Sequence, residues 1–363
     1  MRTYYIEKLA GLLKNERMDA VLICPSEELR FLTGFTPMMC ERFQGLFIKS
    51  DGEMFYICNL LYQEEIKKSF NNEIPVYSWF DGDIMTEVVA DILRDNGLGE
   101  SVIGVNSTAP AFQVLDLMET MPVTFRNAKP LLEEMRIHKT KEEMDCLRRS
   151  AQIADEAFAA VLPKIHAGMK ELDVLNLLTE EMAKRGGEGG GGIVASGPNS
   201  SYPHYASYDR VIEEHDLMVL DFGCTYKGLY SDMSRTVFIG EPTPEQRRVY
   251  EIVDRAQLAA QKAAVEGAFI PDIDAAARDI IAAEGYDGTL VNRVGHGIGF
   301  MVHEAPDIKK SNPRNLEKGM VFSVEPGIYL AGRFGMRIEN IVMINENGET
   351  EVLNKASREL IVL

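Results

Sequence analysis

Cysteine is scarce and unpatterned. Cys24, Cys40, Cys58, Cys146 and Cys224 are the only five in 363 residues. An odd, scattered set excludes a disulfide framework and a C-x-x-C metal site. Free thiols point to a reducing compartment, so the expected location is cytoplasmic. No apolar run reaches the roughly 18 residues that a membrane-spanning helix needs. The N-terminal stretch MRTYYIEKLAGLLKNERMDA lacks the apolar core and small-residue cleavage site of a signal peptide. Ile6, Leu9, Leu12 and Leu13 recur there at helical spacing and predict an amphipathic helix. Basic charge is also short. The 38 Lys and Arg residues against 56 Asp and Glu leave a formal charge of −18. Nucleic acid requires a basic face, so it is excluded as a partner, as is a membrane. With 45% hydrophobic and 26% charged residues, disorder is excluded too. The length suits two domains.

Residues 1–128 alternate helix and strand signals and predict a small α/β domain with a mixed sheet. Strands are expected at Met18–Ile23, Leu46–Ile48, Met54–Cys58 and Ser101–Val105, with a helix at Ile84–Leu93. Trp79, the only tryptophan, reads as a packing residue. Residues 129–363 predict an α+β domain. It opens with a nearly continuous helix over Leu131–Leu162, in which Thr140 and Glu143 fit a capping box. Further helices are expected at Leu172–Lys184, Pro244–Val265 (with Thr243 as cap) and Asp272–Glu284. Strands are expected at Ile193–Ala195, Leu217–Gly223, Leu229–Gly240, Met320–Leu330 and Gly335–Ile344. The run Gly186–Gly192 contains G-x-G-x-x-G, but a helix precedes it and a strand follows. That order is wrong for a dinucleotide fingerprint, and the run reads as a flexible connection beside a cleft.

The second domain carries the reactive residue types. Asp221 in VLDFG and Asp232 in LYSDMSRT would face each other if the chain folds back over Thr225–Gly228. Glu325 in SVEPGIYL and Glu339 in GMRIEN would do the same about Gly332. Opposed residues of an antiparallel pair have Cβ atoms about 5 Å apart. Four carboxylates crowded in a sheet interior resist ionising together, and one divalent cation or a pair would relieve them. His296 in GHGIG is flanked by glycines, and His303 and His204 lie in nearby Gly- or Pro-marked segments. Four carboxylates with one imidazole suit Mn²⁺ or Co²⁺, and Zn²⁺ less well. Five ligands exceed a closed tetrahedral site and favour two metals with bridging carboxylates. Glu304 reads as a surface group.

The segments IVASGPNSSYPH, VLDFGCTYKGLYSDMSRT, GHGIGFMVHEAP, SVEPGIY and GMRIEN resemble the pita-bread metallopeptidases, the proline-peptidase and methionine-aminopeptidase family. SEELRFLTGF resembles the creatinase-type N-terminal domain of Xaa-Pro dipeptidases and aminopeptidases. The resemblance implies a pita-bread catalytic domain behind a creatinase-like domain, and hydrolysis of the bond before proline in short peptides. It implies two divalent metal ions, Mn²⁺ foremost, on Asp221, Asp232, His296, Glu325 and Glu339, with Asp232 and Glu339 bridging. Glu325 would also shuttle a proton. His204 and His303 would donate to the substrate carbonyl, and Arg337 would orient carboxylates. A homodimer is implied as well. Many such dipeptidases carry Arg four residues after the second histidine, where this chain has Asp307. That departure favours longer Xaa-Pro-Yaa peptides. The competing reading is a non-catalytic pita-bread module that binds peptides or partners.

Overall fold

A computed structural model describes residues 1–363. Its contacts divide the chain into two compact units, Met1–Arg136 and Ile137–Leu363. The sequence places the boundary at 128/129. The first unit keeps the extra helix Lys129–Arg136 because it packs on the N-terminal helix and buries Leu131, Leu132 and Met135.

The first unit runs α1 (Thr3–Asn15), β1 (Ala20–Ile23), α2 (Glu27–Thr33), β2 (Gly45–Lys49), β3 (Met54–Asn59), α3 (Gln63–Ser69), β4 (Val76–Trp79), α4 (Met85–Asp95), β5 (Val102–Val105), α5 (Ala111–Thr120), β6 (Thr124–Asn127) and α6 (Lys129–Arg136). Its six strands lie in the order β4-β3-β2-β1-β5-β6. β1 pairs antiparallel with β2 and parallel with β5, so the sheet is mixed. On α1, Ile6, Leu9 and Leu13 are buried, as their spacing predicts. Trp79 is buried among Phe47, Phe55 and Leu93, and its Nε1 donates to the Phe43 carbonyl at 3.0 Å.

The second unit contains α7 (Lys141–Val161), α8 (Glu171–Lys184), β7 (Glu188–Ser196), β8 (Leu217–Tyr226), β9 (Leu229–Tyr230), β10 (Met233–Phe238), α9 (Pro244–Ala263) and α10 (Ile270–Ala283). It continues with β11 (Gly295–Gly297), β12 (Glu304–Ile308), β13 (Val321–Val324), β14 (Gly327–Leu330), β15 (Phe334–Arg337), β16 (Asn340–Ile344), β17 (Thr350–Val352) and β18 (Ile361–Val362). One sheet has the order β18-β10-β8-β7, another β12-β11-β13-β16-β17, and β14 pairs with β15. Strands gathered into sheets and backed by helices make this unit α+β. No helix is long and apolar enough to cross a membrane.

The helix expected over Leu131–Leu162 is broken at Ile137–Thr140. Thr140 is extended and caps α7: its hydroxyl accepts from Glu143 N–H at 3.3 Å, and the Glu143 carboxylate accepts from Thr140 N–H at 3.0 Å. The reciprocal bonds start a new helix rather than continue the old one. Thr243 caps α9 in the same way with Gln246.

In β8 the residues alternate between faces. Met218, Leu220, Phe222 and Cys224 join the core formed with α7 and α8, which leaves Asp221 on the opposite face. The tight turn Lys227–Gly228 has both φ angles positive and joins β8 to β9. Three of the expected long strands are interrupted: at Ser231–Asp232, at Glu325–Pro326 and at Ile338–Glu339. Each break coincides with one of the acidic residues singled out above. The backbone leaves the ladder where those side chains converge. The Gly-rich run is not a flexible connection, because Glu188–Gly192 belong to β7 and pair with β8 across a bulge. At Gly192 (φ 158°) an added Cβ would sit 2.2 Å from the Asp221 carbonyl oxygen. Close backbone approach there requires glycine.

Candidate metal centre

Asp232, His296 and Glu339 offer ligand atoms that all lie within 4.8 Å of one another. They come from three places in the fold: the break before β10, the short strand β11, and the break before β16. The predicted facing of Asp221 and Asp232 is shifted. Asp221 is paired with Ser234, so Asp232 is its diagonal neighbour on the same face. The register Val324↔Asn340, carried one step further, sets Glu325 opposite Glu339 as expected. Glu325 Oε1 lies 3.4 Å from His296 Nε2, and Asp232 Oδ2 lies 3.7 Å from it.

His296 is buried among these acids. Its backbone N–H donates to Ser323 Oγ at 3.0 Å, and its Nδ1 lies 3.0 Å from the Gly297 carbonyl. A carbonyl only accepts, so Nδ1 carries the proton and Nε2 presents a lone pair to the acids. Desolvation drops the imidazole pKa to about 3, which keeps it neutral. A neutral imidazole with its other nitrogen tied to a carbonyl is the usual form of a metal-binding histidine.

The carboxylates show the opposite strain. Burial, followed by the charge of Glu339, Asp221 and Glu325, pushes the Asp232 carboxyl well above its ordinary range. Burial and the charges of Glu325 and Asp221 do the same to Glu339. Burial lifts Glu325 to about 7, against the opposing charge of Arg337. Glu339 Oε2 accepts from Ser234 Oγ at 2.7 Å, while its Oε1 is buried without any partner. That orphaned oxygen, a neutral imidazole lone pair and four crowded acids fit divalent cations.

Arg337, also buried, bonds side chains of this cluster directly. Its guanidinium bonds Asp221 Oδ2 and the Tyr329 hydroxyl, and donates from Nε to Ser234 Oγ at 2.9 Å. Asp221 is therefore turned toward Arg337 and stands outside the three-residue group. Arg337 also reaches the Pro203 carbonyl at 3.4 Å, next to His204. His204 and His303 are solvent-exposed and near enough for their charges to oppose each other. The His303 ring meets His296 edge-on at 4.4 Å between centroids. Partial desolvation, then Arg293 and His204, hold its pKa below the ordinary value.

Several participants escape a reading of the sequence. Ser234 is two residues past Asp232, so strand alternation alone could have found it. Asn292 donates to Glu325 Oε2 at 3.4 Å, and nothing in its local sequence marks it. Glu304 is not a surface group. It is buried, its Oε2 lies 2.9 Å from Lys139 Nζ, and its Oε1 accepts from Met301 N–H at 2.8 Å. Gly299 makes room for that pair, since a Cβ there would sit 2.5 Å from Lys139 Cε. Asp307 is likewise held between two cations, with Arg293 at 2.6 Å and Lys309 at 2.5 Å. The negative charge behind the expectation of longer Xaa-Pro-Yaa peptides is thus offset by these two cations.

Residues 145–346 match metallopeptidase family M24, and residues 6–138 match the creatinase/prolidase N-terminal domain. The chain belongs to metallopeptidase family M24 and has its pita-bread fold behind a creatinase-type domain. It is 36% identical over 350 residues to "Probable dipeptidase PepE" of Mycobacterium tuberculosis, covering 95% of this chain and 92% of that one. It is 32% identical over 361 residues to the Xaa-Pro dipeptidase of Pyrococcus furiosus, covering 98% and 99%. The crystal structure of dipeptidase PepE from Mycobacterium ulcerans superposes with a TM-score of 0.91 at 34% identity, covering 99% of this chain and 96% of that one. The family implies divalent metal ions.

The raised acids make a prediction for the chelated protein. A folded pKa above the unfolded value means the folded state binds the extra proton. Stability should therefore fall as pH rises from about 4.5 to about 7 through Glu325, with Asp232 and Glu339 acting in the same sense. Thermal melting of EDTA-treated protein between pH 5 and 8 measures this. Glu325→Gln should flatten the slope, and an unchanged slope would remove Glu325 as its source.

Proposed function

We propose that this chain is a divalent-metal-dependent peptidase that cleaves the bond between an N-terminal residue and proline. The convergence of Asp232, His296 and Glu339 within 4.8 Å, with Asp221 and Glu325 acting on the same buried charge, carries the reading. The family and the names of its relatives support it. Asp221, Asp232, His296, Glu325 and Glu339 would hold two cations, Mn²⁺ by the oxygen-rich donor set. When bound, such cations supply Lewis acidity to the carbonyl and to water. Glu325 accepts a proton from water at its carboxylate and returns it to the proline nitrogen. A tertiary amide nitrogen leaves only when protonated, so this transfer is required. His303, neutral at pH 7, donates to the carbonyl oxygen as it becomes negative, and His204 assists from the same side. The five free thiols suit a cytoplasmic enzyme, and we take the assembly to be a homodimer.

The binding-module alternative anticipates lost ligands, whereas all five donor types are present. Release of proline from Ala-Pro in the presence of Mn²⁺, with Ala-Ala as control, tests the function. A fully metal-loaded protein that cleaves neither Ala-Pro nor Ala-Pro-Phe would leave the binding module as the better account.

Dipeptides are the proposed substrates. Arg293 is bonded to Asp307, and its charge acts on Glu325, His296 and His303. The proposed role of Arg293 is to meet the carboxylate next to the scissile bond. A charge-assisted bond of this kind contributes about 1.5–3 kcal/mol. Arg293→Met should raise KM for Ala-Pro by about tenfold or more and change Ala-Pro-Phe less. Equal effects on both peptides would remove Arg293 from this role.

A further inference from the structure

The four consecutive glycines of β7 differ in why they are glycine. Gly189 has φ 58°, a conformation that L side chains rarely adopt. Gly190 faces α8, where a Cβ would lie 3.0 Å from Met182 Cε. Gly192 is forced by its approach to β8, as described above. Gly191 has none of these reasons. Its φ is not positive, and an added Cβ would meet nothing within 4 Å.

The empty space lies beside the metal centre. The register pairs Gly191 with Gly223 and Ile193 with Asp221. Facing residues of an antiparallel pair project to the same side, and so do residues two apart on one strand. Positions 191, 193, 221 and 223 therefore share one face, the one away from α7 and α8. Gly223 must stay small, because a Cβ there would sit 1.9 Å from the Ser231 carbonyl oxygen. Ile193 is only partly buried, and it is the apolar side chain directly opposite Asp221. The result is a strip of open, side-chain-free backbone next to one apolar residue, at the edge of the acidic cluster.

We propose that Gly191 sets the size of the substrate side chain this site takes, leaving room against Ile193 for a bulky apolar or aromatic N-terminal residue. The inference rests on the peptidase reading above and deepens it. A side chain lying on Ile193 leaves water, whereas one from a Gly or Ala substrate leaves the space wet. A residue added at position 191 would occupy that volume without straining the backbone. Wild-type kcat/KM should therefore be at least as high for Phe-Pro and Leu-Pro as for Ala-Pro.

The test is a series of Gly191→Ala, Gly191→Leu and Gly191→Phe, assayed with Mn²⁺ on Gly-Pro, Ala-Pro, Leu-Pro and Phe-Pro. One misplaced methylene in an apolar pocket is worth about 10–200-fold in specificity. Gly191→Leu and Gly191→Phe should lower kcat/KM for Phe-Pro relative to Ala-Pro by about tenfold or more, with Gly191→Ala between them and wild type. Calorimetric binding of non-cleavable reduced-bond analogues of Phe-Pro and Ala-Pro should show the same ratio, independently of turnover. Equal losses on all four dipeptides, or a wild type that prefers Gly-Pro, would overturn the proposal while leaving the peptidase reading intact. No cleavage of any dipeptide by the loaded wild type would instead reject the peptidase reading. In that case a shared preference of the two analogues for wild type over Gly191→Phe would overturn the size-selective pocket.

Discussion

Glu339→Gln should abolish hydrolysis of Ala-Pro. Glu339 is buried, one oxygen is held by Ser234, the other has no partner, and the carboxylate offers an oxygen within 4.8 Å of ligand atoms of Asp232 and His296. Gln keeps the shape but removes one negative charge and one oxygen from the position proposed to bridge both cations. Asp232→Asn should behave alike. Neither variant should unfold. The raised pKa of both acids reports mutual repulsion and lost hydration, and an amide relieves the first. The chelated variants should therefore melt at or above the chelated wild type. Metal analysis should find fewer ions per chain than in wild type. A metal-saturated Glu339→Gln protein with wild-type turnover would refute the bridging role.

His303→Ala should lower kcat by about 10²–10³, the usual loss when one donor to a developing oxyanion is removed. Metal content should not change, because His303 lies outside the three-residue group and touches it only through the His296 ring. A variant that loses metal in proportion to activity, with turnover per bound metal unchanged, would make His303 a ligand instead. KM for Ala-Pro should move little, since the bond strengthens as the oxygen gains charge.

Much of this arrangement is legible in the sequence because it is local. The capping residues Thr140 and Thr243 are read from residues three apart, and the buried stripe of α1 from its spacing. The turn at Lys227–Gly228 is close to where VLDFG and LYSDMSRT require one. What failed is register and long-range pairing. Asp221 faces Ser234 rather than Asp232 because the two-residue turn Lys227–Gly228 sets one register through β9 and β10, centred one residue later than that facing pair requires, and a pattern of alternating residues does not fix the turn centre. Glu304 looked like a free acid, yet Lys139 reaches it from a distant part of the chain, and Arg293 and Lys309 pair with Asp307. The glycine run looked flexible by composition. Pairing with β8 overrides that tendency and makes it a strand edge of the site.

Metal reconstitution addresses the central claim most directly. The protein should be stripped with chelator, dialysed, and titrated with Mn²⁺ while bound metal and proline release from Ala-Pro are measured together. The account predicts no release from the stripped protein, full recovery at two ions per chain, and no recovery in Asp232→Asn or Glu339→Gln. Proline release from rigorously metal-free protein, or two bound ions without any cleavage, would contradict it.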